Sequence, residues 1–322
     1  MSTLPFVPAY ALASVSEEHR WLVQDLWAEE AVGIVGGEPK CCKSFLALDV
    51  AVAVASGTPC LRRFPVPRPG RVLLYAAEDP LHVVRKRLQG ISRAAGVTLE
   101  TLDVQVITAP TLRLDVQAER TSLEETVADL KPRLLVLDPF VRLHRIDENA
   151  SGEVAPLLAF LRELQRRHRL AVIVVHHARK GGGNVRAGQA LRGSSEFHAW
   201  GDCNLYLRRA GERLTLTTEH RAAPSGHGLP LVLKEEGSSL ALAIAPAYVA
   251  EADSDDAADT TGLSPEERVQ QALRASTGPI ALHDLRGRCR IRTSILCATL
   301  AALCGRGLVR KTADGYTLAA AF

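Results

Sequence analysis

Short runs of consecutive apolar residues recur along the first two thirds of the chain. The stretches between them carry their apolar residues at helical spacing. The runs at 32–36, 71–76 (Arg-Val-Leu-Leu-Tyr-Ala), 104–107, 133–137 (Arg-Leu-Leu-Val-Leu) and 170–175 (Leu-Ala-Val-Ile-Val-Val) predict strands; the stretches 43–56, 80–95, 120–130 and 153–168 predict helices. Short apolar strands alternating with amphipathic helices indicate a parallel sheet covered on both faces. Beyond residue 200 the pattern changes, and 204–208, 213–218, 229–234 and 240–244 predict antiparallel strands joined by tight turns. The expected fold class is therefore α/β: a mostly parallel sheet over residues 31–246 with an antiparallel β extension.

The ends of the chain read differently. Residues 1–30 carry Trp21-Leu22-Val23 and Leu26-Trp27, an N-terminal segment expected to pack on the edge of the following sheet. Residues 247–262 are small, acidic and unpatterned, which predicts a linker. Ser264-Pro265-Glu266-Glu267 then opens a helix with an N-cap, a proline at the first helical position and first-turn acids. Two further helices, 281–288 and 293–305, and a hairpin over 308–318 complete a module at 263–322 with the pattern of a winged helix-turn-helix.

Net charge is only +3, so the total gives no pull toward polyanions, but its distribution does. Acids without a base fill 250–267, and bases without an acid fill 286–311: Arg286, Arg288, Arg290, Arg292, Arg306, Arg310 and Lys311. Seven cysteines, none in a Cys-x-x-Cys pair, read as reduced thiols of a cytoplasmic protein rather than as zinc ligands. The N-terminus has no basic region ahead of apolar residues, so no secretory signal is expected. No apolar run of about 18 residues is present, so no membrane partner is expected either.

The chemistry concentrates where predicted strands end. Gly36-Gly37-Glu38-Pro39-Lys40-Cys41-Cys42-Lys43-Ser44 joins the strand at 32–36 to the helix at 43–56. Such a turn cradles a nucleotide triphosphate through backbone N–H groups at a helix N-terminus, with Lys43 on the β/γ-phosphates and Ser44 on Mg²⁺. One position departs from Gly-x-x-x-x-Gly-Lys-Ser/Thr: Cys42 stands where the second glycine belongs. Three more strands end in polar residues. Leu134-Leu135-Val136-Leu137-Asp138 offers an acid for Mg²⁺, Ala77-Glu78-Asp79 a carboxylate for the attacking water, and His176-His177 a contact for the γ-phosphate. Asp79, before Pro80, is expected to cap the next helix. A buried histidine bonded to backbone is the other reading of the pair 176–177.

Taken together, Trp21-Leu22-Val23, Gly37–Ser44, Ala77-Glu78-Asp79, Leu137-Asp138-Pro139, Val175–Gly181 and Arg192-Gly193-Ser194-Ser195 resemble the RecA-type hexameric ATPases, and among these AAA-type P-loop enzymes the RepA-like plasmid replicative helicases. The resemblance covers about residues 21–246 and implies a RecA-like P-loop NTPase core. It implies Gly37, Glu38, Pro39, Lys40, Cys41, Cys42, Lys43 and Ser44 around ATP, and Ser44 and Asp138 on Mg²⁺. Glu78 would be the catalytic base and His177 the γ-phosphate sensor, in a homo-oligomeric ring, a hexamer, with ATP at subunit interfaces. The arginine finger departs from the family, because the aligned position holds Asp202. Arg221, in Glu219-His220-Arg221-Ala222-Ala223-Pro224, resembles the strand-end finger of DnaB-like helicases, though a solvated strand-end arginine has the same pattern.

DNA contacts are expected at two places. The Gly-rich loop 179–195 carries Arg179, Lys180 and Arg186, suited to a single strand in a ring channel, and equally to an ordinary surface loop. Around the helix 293–305, Arg288, Arg290, Arg292, Arg306, Arg310 and Lys311 would hold duplex phosphates at both its ends. The expected function is ATP-driven DNA translocation or unwinding in replication of a plasmid or other mobile element. An ATP-switched DNA-binding regulator or recombination accessory protein without unwinding activity is the alternative.

Overall fold

The computed structural model describes residues 6–11, 20–177, 196–211, 213–245, 264–276, 278–289, 293–312 and 315–319. They fall into two compact units, Met1–Ala245 and Pro246–Phe322.

In the first unit, β1 (Trp21–Val23) and β2 (Trp27–Ala28) form a small antiparallel hairpin. A large sheet follows from β3 (Val32–Gly37), β4 (Val72–Ala76), β5 (Val104–Val106), β6 (Leu134–Asp138), β7 (Ala171–His177), β8 (Cys203–Ala210), β9 (Arg213–His220), β10 (Gly226–Glu236) and β11 (Ser239–Ile244). Their order is β11-β10-β9-β8-β3-β7-β6-β4-β5. Pairing is parallel from β8 through β3, β7, β6 and β4 to β5, and antiparallel from β8 through β9 and β10 to β11. The class read from the sequence, mixed α/β with a mostly parallel sheet and an antiparallel extension, is the class observed. One strand differs. The run at 204–208 is not simply antiparallel: β8 pairs in parallel with β3 and antiparallel with β9, so it is the hinge between the two kinds of pairing. Alternation cannot show this, because β8 buries both faces over Cys203–Leu207 and exposes only its end.

Helices α1 (Lys43–Ser56) and α2 (Leu81–Ala94) lie on one face of the sheet, and α3 (Gln117–Leu130), α4 (Ser151–His168) and α5 (Glu196–Trp200) on the other. Alternate strand residues divide accordingly. Val32, Ile34, Leu73, Tyr75, Leu135, Leu137, Val172 and Val174 pack against Leu123, Val127, Leu157, Leu158 and Leu161 of α3 and α4. α1 is apolar nearly throughout, as a helix enclosed between sheet, α2 and β11 must be. Its one buried carboxylate, Asp49, accepts from Leu61 N–H (2.7 Å) and from the Arg62 guanidinium (2.7 Å), and so pins α1 to the turn that follows it. Burial pushes the Asp49 carboxyl above its ordinary value, with Arg62 as the leading opposing influence.

β3 is held at close quarters. A Cβ on Gly33 would lie 1.6 Å from Cys203 O and 3.0 Å from the Trp27 ring. This is how the segment before the sheet, read from Trp21 to Trp27, packs onto it.

In the second unit, α6 (Pro265–Arg274), α7 (Leu282–Cys289) and α8 (Thr293–Gly305) surround a core of Val269, Leu273, Ile280, Leu285, Leu296, Leu300, Leu303 and Val309. β12 (Val309–Thr312) and β13 (Gly315–Leu318) form the expected hairpin. Ser264 caps α6 in a reciprocal capping box with Glu267, with Pro265 next to it.

Gly33→Ala should destabilise the protein by more than about 3 kcal/mol, because no rotamer relieves a Cβ–backbone clash. Urea unfolding of the full chain measures it, and a loss under 1 kcal/mol would mean that β3 and β8 can separate without cost.

Candidate functional site

The C-terminal ends of the parallel strands share one edge, where ligands bind in open α/β sheets. Gly37, the last residue of β3, stands level with His177 of β7 and Leu207 of β8. Asp138 ends β6 level with Ala76 of β4, two residues before Glu78. The register thus brings the loop Gly37–Ser44, Glu78, Asp138 and His177 to one side of the molecule.

The loop makes its turn through left-handed backbone at Lys40 (φ 65°) and Cys42 (φ 64°). Cys42 is the N-cap residue of α1. The conformation that makes glycine the usual residue there is kept, and a side chain is carried in it at a cost of roughly 1–2 kcal/mol. The Cys42 thiol accepts from Arg209 Nη2 at 3.5 Å, across from β8. Cys41 is buried and its thiol donates to Glu38 O at 2.8 Å. Lys43 is buried and its ammonium donates to the same carbonyl at 2.8 Å, with the Cys41 sulfur 3.9 Å away. Burial lowers the Lys43 pKa, and Cys41, Asp138 and Glu78 oppose it in that order. Lysine, loop carbonyl and thiol thus meet within the loop.

Asp138 is 8% exposed and accepts from the Ser44 hydroxyl. Desolvation raises its pKa to about 6; the Ser44 hydrogen bond lowers it, while Asp79 adds to the rise. A hydroxyl and one carboxylate at a helix N-terminus fit Mg²⁺, which takes few protein oxygens and completes its shell with water and phosphate. Lys43 beside them fits ATP. The oxygens of Ser44 and Asp138 therefore suit Mg²⁺, and the Lys43 ammonium suits a phosphate.

Glu78 is exposed at the same edge, and Arg142 Nε donates to its Oε1 at 2.9 Å. Nothing in the sequence marks Arg142, which lies four residues beyond Asp138 in the turn Phe140–Arg142. Asp79 does not cap α2 as expected: Pro80 is the N-cap residue, without a side-chain cap. The Asp79 carboxylate is ion-paired with Arg87 instead, and Arg87 in turn lies over the Phe45 ring, 5.1 Å from its centroid. A cation on the facing turn of the helix outcompetes the helix's own N–H groups for that carboxylate.

His176 is buried, stacked on Phe197 (centroids 4.2 Å apart) and edge-on to Phe140. His177 is half-buried at the strand end beside the loop.

Arg221 is not brought to this edge. It follows the end of β9 at the opposite side of the sheet, where it is 3.3 Å from Asp202 and donates to Ala199 O at 2.6 Å. Asp202 there also pairs with Arg162 and accepts from Val32 N–H (3.2 Å). Within one chain Arg221 cannot reach a nucleotide on the loop. Arg179, Lys180 and Arg186 lie outside the described residues, as do Arg290 and Arg292. In the second unit Arg288, Arg310 and Lys311 are exposed, and Lys311 stands 5.9 Å from the Tyr316 ring centroid. Arg306 is paired with Glu266 at 2.5 Å, so part of its charge is spent within the unit.

Residues 2–183 match the family described as AAA domain, more than half the chain and with it the loop, Glu78, Asp138 and His177. The chain belongs to that family. Among solved structures, a DnaB-like replicative helicase, described with its interactions with primase, superposes with a TM-score of 0.52 at 13% identity, over 66% of this chain and 59% of that one. The RadB recombinase matches with a TM-score of 0.49 at 18% identity, over 67% of this chain and 91% of that one. The chain spans less than two thirds of the helicase it resembles. The fold of this AAA family member is the RecA-like P-loop ATPase core. Among its described residues, no helix is long and apolar enough to cross a membrane.

Two predictions follow from the loop and the buried acid. Cys42→Gly should keep the fold with stability unchanged or slightly raised, whereas Cys42→Val, stiff at a left-handed position, should lose about 1–3 kcal/mol in thermal unfolding. A larger loss for glycine than for valine would show that the thiol contact with Arg209, not the backbone, governs this position. For Asp138 the folded state holds its proton more tightly than the unfolded chain does, from 3.8 to about 6. Its contribution to stability is therefore greatest below pH 4 and is lost as pH rises through 6. Asp138→Asn should consequently stabilise the nucleotide-free protein by about 1–3 kcal/mol at pH 7.5 and much less at pH 4.5, as read from melting at the two pH values.

Proposed function

We propose that this AAA family protein is a Mg²⁺-dependent ATPase acting on DNA, a RepA-like ring helicase or translocase serving replication of a plasmid or mobile element. The observation that carries the ATPase reading is the meeting of Lys43, Ser44, Glu78, Asp138 and His177 at one sheet edge. Backbone N–H groups of Gly37–Ser44 and the Lys43 ammonium hold the phosphates once Lys43 leaves the Glu38 carbonyl. Mg²⁺ at this site would supply neutralisation of phosphate charge. Ser44 and Asp138 would hold it, Asp138 as a carboxylate. Glu78 takes the proton of the attacking water, and His177 contacts the γ-phosphate from the neighbouring strand. Arg221, at the far edge of its own chain, serves as a finger on the next subunit of a homo-oligomer, a hexamer.

The DNA reading rests on the charge pattern and on the likeness in fold to a DnaB-like replicative helicase. Arg179, Lys180 and Arg186 would track a single strand in the ring. The unit at 263–322 would act as a winged helix on duplex DNA through Arg288, Arg290, Arg292, Arg306, Arg310 and Lys311, with residues 247–262 as its tether.

ATP hydrolysis by the full chain should be stimulated by single-stranded DNA. Lys43→Ala should abolish it and weaken nucleotide binding, and Glu78→Gln should preserve binding while lowering kcat by two to four orders of magnitude. Wild-type turnover in Glu78→Gln would remove Glu78 from its role. DNA-stimulated hydrolysis without unwinding of a forked duplex would favour the ATP-switched regulator over the motor.

A further inference from the structure

α8 (Thr293–Gly305), the helix expected to lie in a major groove, reads Thr-Ser-Ile-Leu-Cys-Ala-Thr-Leu-Ala-Ala-Leu-Cys-Gly. It has no Arg, Lys, Asn, Gln, Asp, Glu or His along its length. Those are the residue types whose side chains pair with the edge of one base in preference to another, and a good bidentate pair rejects a wrong base by roughly ten-fold or more. Leu296, Leu300 and Leu303 belong to the core of the unit, and Thr299 is buried too. Thr293 and Ser294 stand in the first turn, the part of such a helix that meets base edges. A hydroxyl donates and accepts alike, however, and so chooses weakly among bases. Ala302 and Gly305 are exposed and have no polar side-chain atom.

The charge of the unit lies off this helix. Arg286 and Arg288 are exposed toward the end of α7 (Leu282–Cys289), and Arg310 and Lys311 on β12. Among the described residues none of these four has a carboxylate partner, whereas Arg306 is paired with Glu266. Cations that are not spent on acids of their own unit attract phosphates, and phosphates are alike at every base pair.

We propose that the unit at 263–322 holds duplex DNA of any sequence through its phosphates, and that α8 occupies the groove without reading it. The inference rests on the reading of this unit as a winged helix on duplex DNA, and adds the class of its substrate: a duplex taken for its form and charge, not for a site. A unit of this kind tethers the ATPase to duplex wherever the core works and does not select a starting sequence.

The test uses the full-length protein without nucleotide and fluorescence anisotropy on blunt duplexes of about 20 base pairs, one all A·T, one all G·C and two of unrelated mixed sequence. Affinities should agree within about five-fold at each salt concentration. Log K against log salt should fall with one common slope, about −3.6 if each of the four exposed cations holds one phosphate. Arg310→Ala combined with Lys311→Ala removes two exposed side chains outside the core. That double variant should weaken binding to every duplex by the same factor, on the order of ten-fold at about 50 mM salt, and flatten the slope by about 2. Selection from a random duplex pool that yields a consensus bound more than about thirty-fold tighter than the pool overturns the proposal, since α8 would then read bases. So does a double variant that loses affinity for one duplex and keeps it for the rest. Unchanged binding by the double variant would place the duplex contact elsewhere in the chain and overturn it as well. Absence of duplex binding by the wild type at low salt would instead remove the winged-helix reading itself, and the inference with it.

Discussion

β3 pairs in parallel with β7 on one side and β8 on the other, with Gly37 level with His177 and Leu207. Gly33 on the same strand lies against Cys203 and Trp27 with no room for a side chain. This fixed register is what the candidate site depends on. A slip of one residue would turn every strand side chain to the opposite face and take Gly37 off the level of His177. With β3 fixed, α1 can begin only where Lys43 begins it, and the strands that end in Asp138 and His177 finish at the same height.

That edge is stabilised in opposing ways. The core beneath it is apolar on both faces of the sheet, while the edge carries a buried ammonium at Lys43 and a buried carboxylate at Asp138. Both are pushed toward their neutral forms by desolvation. Ser44, the Glu38 carbonyl and the charges around them offset only part of that cost. The left-handed Cys42 adds backbone strain at the same point. Such a concentration of unfavourable terms is expected where a polyanion and a cation are to be bound, because they supply the missing partners. The structural carboxylate Asp49 differs in this respect, since its partners, Leu61 N–H and Arg62, are already in place.

The ion pairs around the edge sort by partner rather than by sequence neighbourhood. Asp79 turns to Arg87 across the first turns of α2, Glu78 to Arg142 across two strands, and Asp202 to Arg162 and Arg221 at the far edge. The Glu78–Arg142 and Asp202–Arg162 pairs join elements distant in the chain. They explain why neighbouring acids such as Glu78 and Asp79 have different surroundings.

Much of this was legible in the sequence. The parallel core, the antiparallel extension, α1 over 43–56 and the loop before it follow from apolar periodicity and from the residues a strand-to-helix turn needs, because those signals are local. The strand ends pointed to Glu78, Asp138 and His177 for the same reason: an apolar run that stops at a polar residue marks the end of a buried strand. What the tertiary structure alone decided is whatever depends on strand order and on groups meeting across it. β8 joins β3 in parallel, which no alternation pattern records. Asp79 prefers a guanidinium to a cap, Glu78 has a cation on it, and Arg221 sits at the edge of the sheet opposite the loop. Each is settled by which groups meet in three dimensions, and a linear pattern does not record those meetings.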